Sequence, residues 1–332
     1  MGELGKIAVI GAGSWATALA RLLLLNNDRI IWYVRRPERV AEFIRYRRNP
    51  VYLSDVPFDT ARIDFYSDIN EAVGGADTLV VAIPSPYFKG EAEKISIDLR
   101  EKNIVSAVKG IVPDDNMIVT EWFSRRFGCP EENLLCIGGP CHAEEVALDH
   151  LSYLTIGCSD TEKARAFCHA ITGPQLKTVV SDDVAGIEYA AVLKNVYAIA
   201  AGMIDGMKAG DNFKAMLVCN AVREMHRFID MVAPLKRDID DSAYLGDLLV
   251  TSYSLFSRNH NFGAMLGKGV SVKSAMMAME MVAEGYYGTR CIHEINEASV
   301  RARMPILDCV YAILYEGRKA REEFRAIADS FS

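Results

Sequence analysis

Near its start the chain runs Ile7-Ala8-Val9-Ile10 and then breaks into Gly11-Ala12-Gly13-Ser14-Trp15-Ala16, after which a helical pattern continues from Thr17 to Leu25. This G-x-G-x-x-A order constrains the fold more than any other feature, because it asks for a strand, a turn and a helix in immediate succession. Gly11 permits the tight turn, Gly13 lets a pyrophosphate approach the backbone, and the small Ala16 lets the helix pack close to the strand. The N–H groups around Ser14 and Trp15 would then face the phosphates of a dinucleotide. A glycine-rich turn alone is common. Its position at the head of an alternating pattern gives it weight.

That pattern continues with Ile30 to Tyr33, Thr78 to Ile83, Ile104 to Ala107, Leu134 to Ile137 and Gln175 to Val180, with helical stretches between them. Strands spaced by helices predict a parallel sheet, with ligand-binding loops above its carboxyl edge. Ser181-Asp182-Asp183 then offers helix caps, and strand signals largely stop. Apolar residues now recur at three- and four-residue intervals, as in Met216, Val218, Val222, Met225 and Ile229. The expected fold is α/β, a Rossmann-type doubly wound parallel sheet followed by an all-α C-terminal domain. The expected division is residues 1–182 for NAD(P) and 183–332 for substrate binding and catalysis, in keeping with about two domains for 332 residues.

The second strand ends at Tyr33-Val34-Arg35-Arg36, where folds that take NAD commonly place an acid on the ribose 2′-hydroxyl. A guanidinium there suits a 2′-phosphate, so NADP(H) is the expected preference, with NAD(H) possible. The plain alternative is a solvated basic helix start running on to Arg39 and Arg45.

Acidic residues (44) outnumber Lys and Arg (37) for a net charge of -7, and neither half is basic, so no nucleic-acid partner is expected. No uninterrupted apolar run reaches the ~18 residues of a membrane span, and the strongest candidate, Leu22 to Leu25, sits between Arg21 and Asn26. Integral membrane association is not expected. The start Met1-Gly2-Glu3-Leu4-Gly5-Lys6 shows no leader or lipid-anchor pattern. Eight cysteines without a C-x-x-C pair, most of them inside apolar segments such as Val218-Cys219, read as reduced core thiols in a cytoplasmic protein. The six histidines show no metal-ligand spacing, and no metal is expected.

Several polar segments interrupt apolar surroundings: Val108-Lys109-Gly110, Gly138 to Glu145, Leu193-Lys194-Asn195-Val196, Gly246 to Thr251 and Ser257-Arg258-Asn259. Singly, Lys109 and Lys194 read as solvated lysines, Asp247 as a helix cap and Ser257-Arg258-Asn259 as a surface turn. Together, in this order and with Glu284-Gly285, they resemble the bacterial-type NAD(P)-dependent glycerol-3-phosphate dehydrogenases. The resemblance runs from Gly11 to Glu284.

It implies reversible reduction of dihydroxyacetone phosphate to sn-glycerol 3-phosphate, a glycerophospholipid precursor. By the resemblance, Lys194 is the proton donor, with Lys109 and Asp247 as catalytic companions. Lys109 would supply a neighbouring cation that favours proton release, and Asp247 would oppose that while holding the ammonium in place. Substrate contacts fall to Lys109, Gly139, Cys141, Lys194, Asn195, Asp247, Thr251, Ser257, Arg258 and Asn259, with Arg258 and Asn259 on the phosphate. Cofactor contacts fall to Gly11, Gly13, Ser14, Trp15, Arg35, Arg36, Lys109, Ala143, Arg258 and Glu284. A homodimer is expected.

Two departures stand out. Where the family has G-P-S/T-F-A, this chain has Gly139-Pro140-Cys141-His142-Ala143, which puts a hydroxyl contact in doubt, and Asn220 stands where relatives often carry Arg. The other readings are a β-hydroxyacid or 6-phosphogluconate-type dehydrogenase and a non-enzymatic nicotinamide sensor. The S-R-N and K-G pieces fit the first poorly, and the intact lysines and Asp247 argue against the second.

Overall fold

The computed structural model describes residues 4–279 and 283–331, so Met1, Gly2 and Glu3 of the leader reading lie outside it. Among the described residues eight strands form one sheet: β1 (Ile7–Ile10), β2 (Ile30–Tyr33), β3 (Ile63–Tyr66), β4 (Thr78–Val81), β5 (Asn103–Ser106), β6 (Leu134–Gly138), β7 (Ser152–Cys158) and β8 (Leu176–Ser181). Their order is β3-β2-β1-β4-β5-β6-β7-β8. The first six reproduce the doubly wound order, whose switch point lies between β1 and β4. Strands β1, β2, β4 and β5 are buried at every position, which is why apolar residues run through the whole of β1 and β2 and through residues 79–81 of β4 and 104–105 of β5.

The sheet departs from the all-parallel expectation at β7, which runs antiparallel to β6, and neither β7 nor β3 was expected. Only Ile63 of β3 is buried, because β3 is an edge strand. Its pattern is correspondingly weak.

The helices of this part are α1 (Ser14–Asn26), α2 (Pro37–Tyr46), α3 (Ile69–Gly74), α4 (Ser85–Ala92), α5 (Val119–Phe127), α6 (Ala143–Ala147) and α7 (Thr161–Ile171). The buried indole of Trp32 packs against Phe43, Phe58 and Phe65 and donates from Nε1 to the Gly11 carbonyl at 2.7 Å. One aromatic side chain thus fixes α2 against β2 and holds the glycine turn in place.

The remaining helices are α8 (Val184–Gly206), α9 (Asp211–Val232), α10 (Asp247–Tyr253), α11 (Arg258–Gly267), α12 (Val272–Ala278), α13 (Glu284–Ile295), α14 (Pro305–Tyr315) and α15 (Ala320–Ala328). The chain divides into two compact units, Met1–Val108 with Val119–Val184, and Lys109–Ile118 with Ala185–Ser332. Lys109 and its loop therefore belong to the helical unit, although they follow directly on β5.

Helix α8 is the core of that unit. Among the described residues it alone is long and apolar enough to cross a bilayer, and its apolar window is wholly buried within the protein. Glu188, Lys194 and Asn195 interrupt its apolar pattern, so it is not an unbroken apolar run in the sequence. Two helices approach its backbone through glycines. A Cβ on Gly202 would lie 2.0 Å from the His260 carbonyl oxygen, and one on Gly263 would lie 2.0 Å from that of Ile199. Gly206 and Gly267 repeat the arrangement one turn on, so α8 and α11 meet through two facing G-x-x-x-G patterns. On another side, a Cβ on Gly285 of α13 would sit 2.6 Å from the Asn195 carbonyl oxygen.

Helix α9 buries Leu217, Val218, Ala221, Met225, Phe228 and Ile229, an inner face at helical spacing. Met216 and Cys219 fall off that face and are exposed, so Cys219 does not pack as a core thiol. The other seven cysteines are buried, and none of the eight is in a disulfide.

Candidate active site

In the sheet-containing unit, a cleft of about 330 Å³ opens where β1, β2 and β4 end. Gly11 and Gly13 line it together with Arg35 and Arg36. The two glycines are there for different reasons. Gly11 has φ +124° and a Cβ would lie 2.6 Å from the Ala82 carbonyl oxygen, whereas a Cβ on Gly13 would meet no protein atom within 4 Å. Gly11 therefore serves the turn, and Gly13 leaves room for a ligand. Helix α1 begins at the next residue with no acid in its first turn, which suits a pyrophosphate at its N-terminus. Ser14 and Trp15 occupy that first turn, Ser14 buried and Trp15 partly so.

Buried Asn49 braces the turn, donating to the Ala12 carbonyl at 3.1 Å and to Thr17 Oγ1 at 2.8 Å. Its own oxygen accepts from the N–H groups of Val51 and Tyr52. Arg36 is exposed at the start of α2. Arg35 is held by buried Glu91 of α4, Nη1 to Oε1 at 3.0 Å. Glu91 also accepts from Lys94 Nζ at 2.8 Å and from the Tyr33 hydroxyl at 2.9 Å. Burial works to raise the Glu91 pKa, but the hydrogen bonds from Lys94, Arg35 and Tyr33 outweigh it and hold the carboxyl below its usual range. Burial and the bond to Glu91 push the Tyr33 phenol up, so it stays a donor.

Gly139, Cys141 and Ala143 follow β6 at the same carboxyl edge of the sheet and are not among the residues that line the cleft. Gly139 has φ +103°, and a Cβ there would press on the Tyr153 carbonyl oxygen at 2.9 Å. Cys141 is buried with Sγ 3.3 Å from the Gly139 carbonyl oxygen, so the thiol turns back on its own loop.

In the helical unit, Lys194 on α8 is 4% exposed, and its ammonium donates to Asp247 Oδ1 at 2.5 Å and to Thr251 Oγ1 at 3.2 Å. Thr251 in turn donates to the Asp247 carbonyl at 2.6 Å, which orients the hydroxyl oxygen toward the lysine. The other oxygen of Asp247, Oδ2, is buried without a hydrogen bond and lies 3.8 Å from Lys109 Nζ. Asn195 Nδ2 donates to the Lys109 carbonyl at 2.8 Å, which fixes the loop carrying that lysine. One carboxylate thus sits between two ammonium groups. A buried charge survives only with such partners.

The plain readings of these residues fail on burial. Lys194 is not solvated, and Asp247 caps no helix with its side chain. Ser257 and Asn259 are buried, Ser257 accepting from the His260 N–H to cap α11. Arg258 opens that helix half-buried, while Asn259 Oδ1 accepts from the Gly285 N–H at 2.9 Å and so ties α11 to the start of α13, where half-buried Glu284 stands. Asn220 is half-buried on α9 and donates to the Met216 carbonyl, and nothing in the structure explains its exchange for Arg.

Sequence reasoning missed Glu91 and Asn49. Each is a polar residue whose burial comes from tertiary packing, and neither belongs to a motif. The facing glycine patterns of α8 and α11 were visible in the sequence but not recognisable as a pair.

A doubly wound sheet with a dinucleotide turn, together with a helical unit that buries a lysine against a carboxylate, defines a nicotinamide-dependent oxidoreductase. Residues 6–164 match the N-terminal family of NAD-dependent glycerol-3-phosphate dehydrogenase, and residues 183–325 match its C-terminal family. The chain belongs to this family. It is 34% identical over 319 residues to glycerol-3-phosphate dehydrogenase [NAD(P)+] of Listeria innocua, covering 96% of this chain and 94% of that one. The enzyme of the same name from Exiguobacterium sp. is 32% identical over 98% of this chain and 95% of its own. The crystal structure of glycerol-3-phosphate dehydrogenase from Coxiella burnetii superposes with a TM-score of 0.88 at 27% identity, covering 98% of both chains. The chain is accordingly an NAD(P)-dependent oxidoreductase acting on a CH–OH group, and the β-hydroxyacid and sensor readings fall away.

Proposed function

We propose that the protein interconverts dihydroxyacetone phosphate and sn-glycerol 3-phosphate, with Lys194 as the proton donor to the ketone oxygen. The observation that carries this is the buried ammonium of Lys194 held by Asp247 and Thr251. When bound, the nicotinamide supplies the hydride. Negative charge developing on the substrate oxygen is met by the Lys194 proton, and Lys109 adds a second cation beside the same carboxylate. Asp247 holds both ammonium groups in place, Thr251 restricts the rotation of Lys194, and Asn195 fixes Lys109 through its backbone. Arg258 and Asn259 are assigned to the substrate phosphate, for which a guanidinium fork is suited. Ser257, Gly139 and Cys141 are assigned to the substrate as well. Gly11, Gly13, Ser14, Trp15, Arg35, Arg36, Lys109, Ala143, Arg258 and Glu284 are assigned to the cofactor.

The preference is NADP(H), supported by Arg35 and Arg36 at the cleft and by the lack of an acid at the end of β2. A cytoplasmic location is supported by eight cysteines of which none is in a disulfide. A homodimer is proposed because helical second domains of this type often pair, and light scattering on the purified protein tests it. Initial rates on dihydroxyacetone phosphate with NADPH and with NADH test substrate and cofactor together. Turnover with neither would reject the reaction, and equal or better efficiency with NADH would reject the preference.

A further inference from the structure

The end of β2 lacks the carboxylate that would accept from a ribose 2′-hydroxyl, yet the cleft has one. It arrives from α4. Glu91 is 7% exposed and lines the cleft beside Arg35, which is exposed. Both of its oxygens are occupied, Oε1 by Arg35 and Lys94 and Oε2 by Tyr33. Its grip on the arginine uses a single guanidinium nitrogen, Nη1. A planar fork with five donors can keep that bond and still bind a second anion, or exchange one anion for the other.

We propose that Glu91 is a positioning residue that sets cofactor selectivity through Arg35. It neutralises the guanidinium when the ribose carries a 2′-hydroxyl and competes for it when the ribose carries a 2′-phosphate. This rests on the reading of the cleft as the cofactor site. Without Glu91, a cofactor with a bare 2′-hydroxyl would cover a cation lacking its partner, which is costly. With Glu91, a 2′-phosphate must approach a cluster in which a carboxylate already offsets part of the positive charge. The carboxylate therefore narrows the gap between the two cofactors.

The test is Glu91→Gln in the full-length enzyme, measuring kcat/KM for NADPH and NADH on dihydroxyacetone phosphate, with 2′,5′-ADP and 5′-AMP as competitive probes. Glutamine keeps the size, an acceptor for Arg35 and a hydrogen-bonding group toward Tyr33, so the melting temperature should stay near that of the parent. The NADPH-to-NADH efficiency ratio should rise about fivefold, the worth of one partly exposed ion pair. Inhibition by 2′,5′-ADP should tighten relative to 5′-AMP. An unchanged or lower ratio in a folded variant would overturn the proposal.

Lys94→Met gives an independent arm, since Lys94 is exposed and its loss removes one of the two cations, Lys94 and Arg35, seen to bond to Glu91. Here the ratio should fall, and a ratio that holds or rises would overturn the proposal. Arg35→Ala separates the two levels of inference. A lower ratio in Arg35→Ala with no change in Glu91→Gln leaves the cofactor cleft standing and removes Glu91 from it. No effect of Arg35→Ala on either cofactor or either probe removes the reading of the cleft itself.

Discussion

On the proposed assignment, the two units would contribute to function in opposite ways. At the glycine turn of the sheet-containing unit the residues are small, and what matters is backbone shape: Gly11 turns the chain, Gly13 leaves a gap, and α1 begins with no acid in its first turn. In the helical unit the residues in question are charged, with Lys194 and Asp247 buried and half-buried Lys109 beside the same carboxylate. Backbone recognition needs no titrating group and tolerates solvent. Proton delivery needs a group whose proton is held in one place, and such a group must be balanced by a partner.

The strongest test of this contrast is Lys194→Ala. Turnover should fall by about two to four orders of magnitude while cofactor binding to the sheet-containing unit persists. Because the substitution leaves Asp247 buried without its nearest cation, it should also cost about 3 to 5 kcal/mol of stability, read from denaturant unfolding. Near-parental turnover would remove the lysine from the chemistry.

Next comes Gly263→Ala, which places a methyl against the Ile199 carbonyl. Unless α11 moves, the cost is about 3 kcal/mol, and if it moves, Arg258 and Asn259 move with it. A melting temperature and substrate KM both unchanged would contradict the close packing of α8 and α11. Arg258→Ala should weaken binding of phosphorylated substrate by about 1.5 to 3 kcal/mol, seen as a raised KM for dihydroxyacetone phosphate. An unchanged KM would move the phosphate elsewhere.

The gentlest test compares two glycines in one motif. Gly13→Ala should keep stability within about 0.5 kcal/mol yet weaken cofactor binding about tenfold, since the added methyl meets ligand and not protein. Gly11→Ala should lower stability itself by about 1 to 3 kcal/mol, because its backbone conformation and the Ala82 carbonyl both oppose a side chain. Identical behaviour of the two variants would undo the distinction.

The same contrast governs how much could be read from the sequence. The glycine turn is a local pattern, contiguous from Ile7 to Leu25, and its strand and helix stand within a few residues of where the pattern puts them. The lysine cluster is nonlocal, and spacing alone left Lys194 and Asp247 with ordinary surface readings until the order of motifs was matched to a family. Two strands escaped notice for physical reasons. In β3 a single residue is buried, and β7 mixes Ser152, Tyr153 and Thr155 into its apolar positions. Likewise Glu91 sits seven residues into α4 with no motif around it, and its importance lies in partners from β2 and the residues just beyond it.

Asp247 joins segments that are far apart along the chain, with Lys194 separated from it by 53 positions, and Asn195 reaches across 86 to the carbonyl of Lys109. No short stretch contains the whole cluster. Closing loops of this size is entropically costly and is repaid only once the surrounding helices have docked. Catalytic activity should therefore return late and all at once in refolding, after helical signal has already recovered, which makes turnover a reporter of the last tertiary contacts to form.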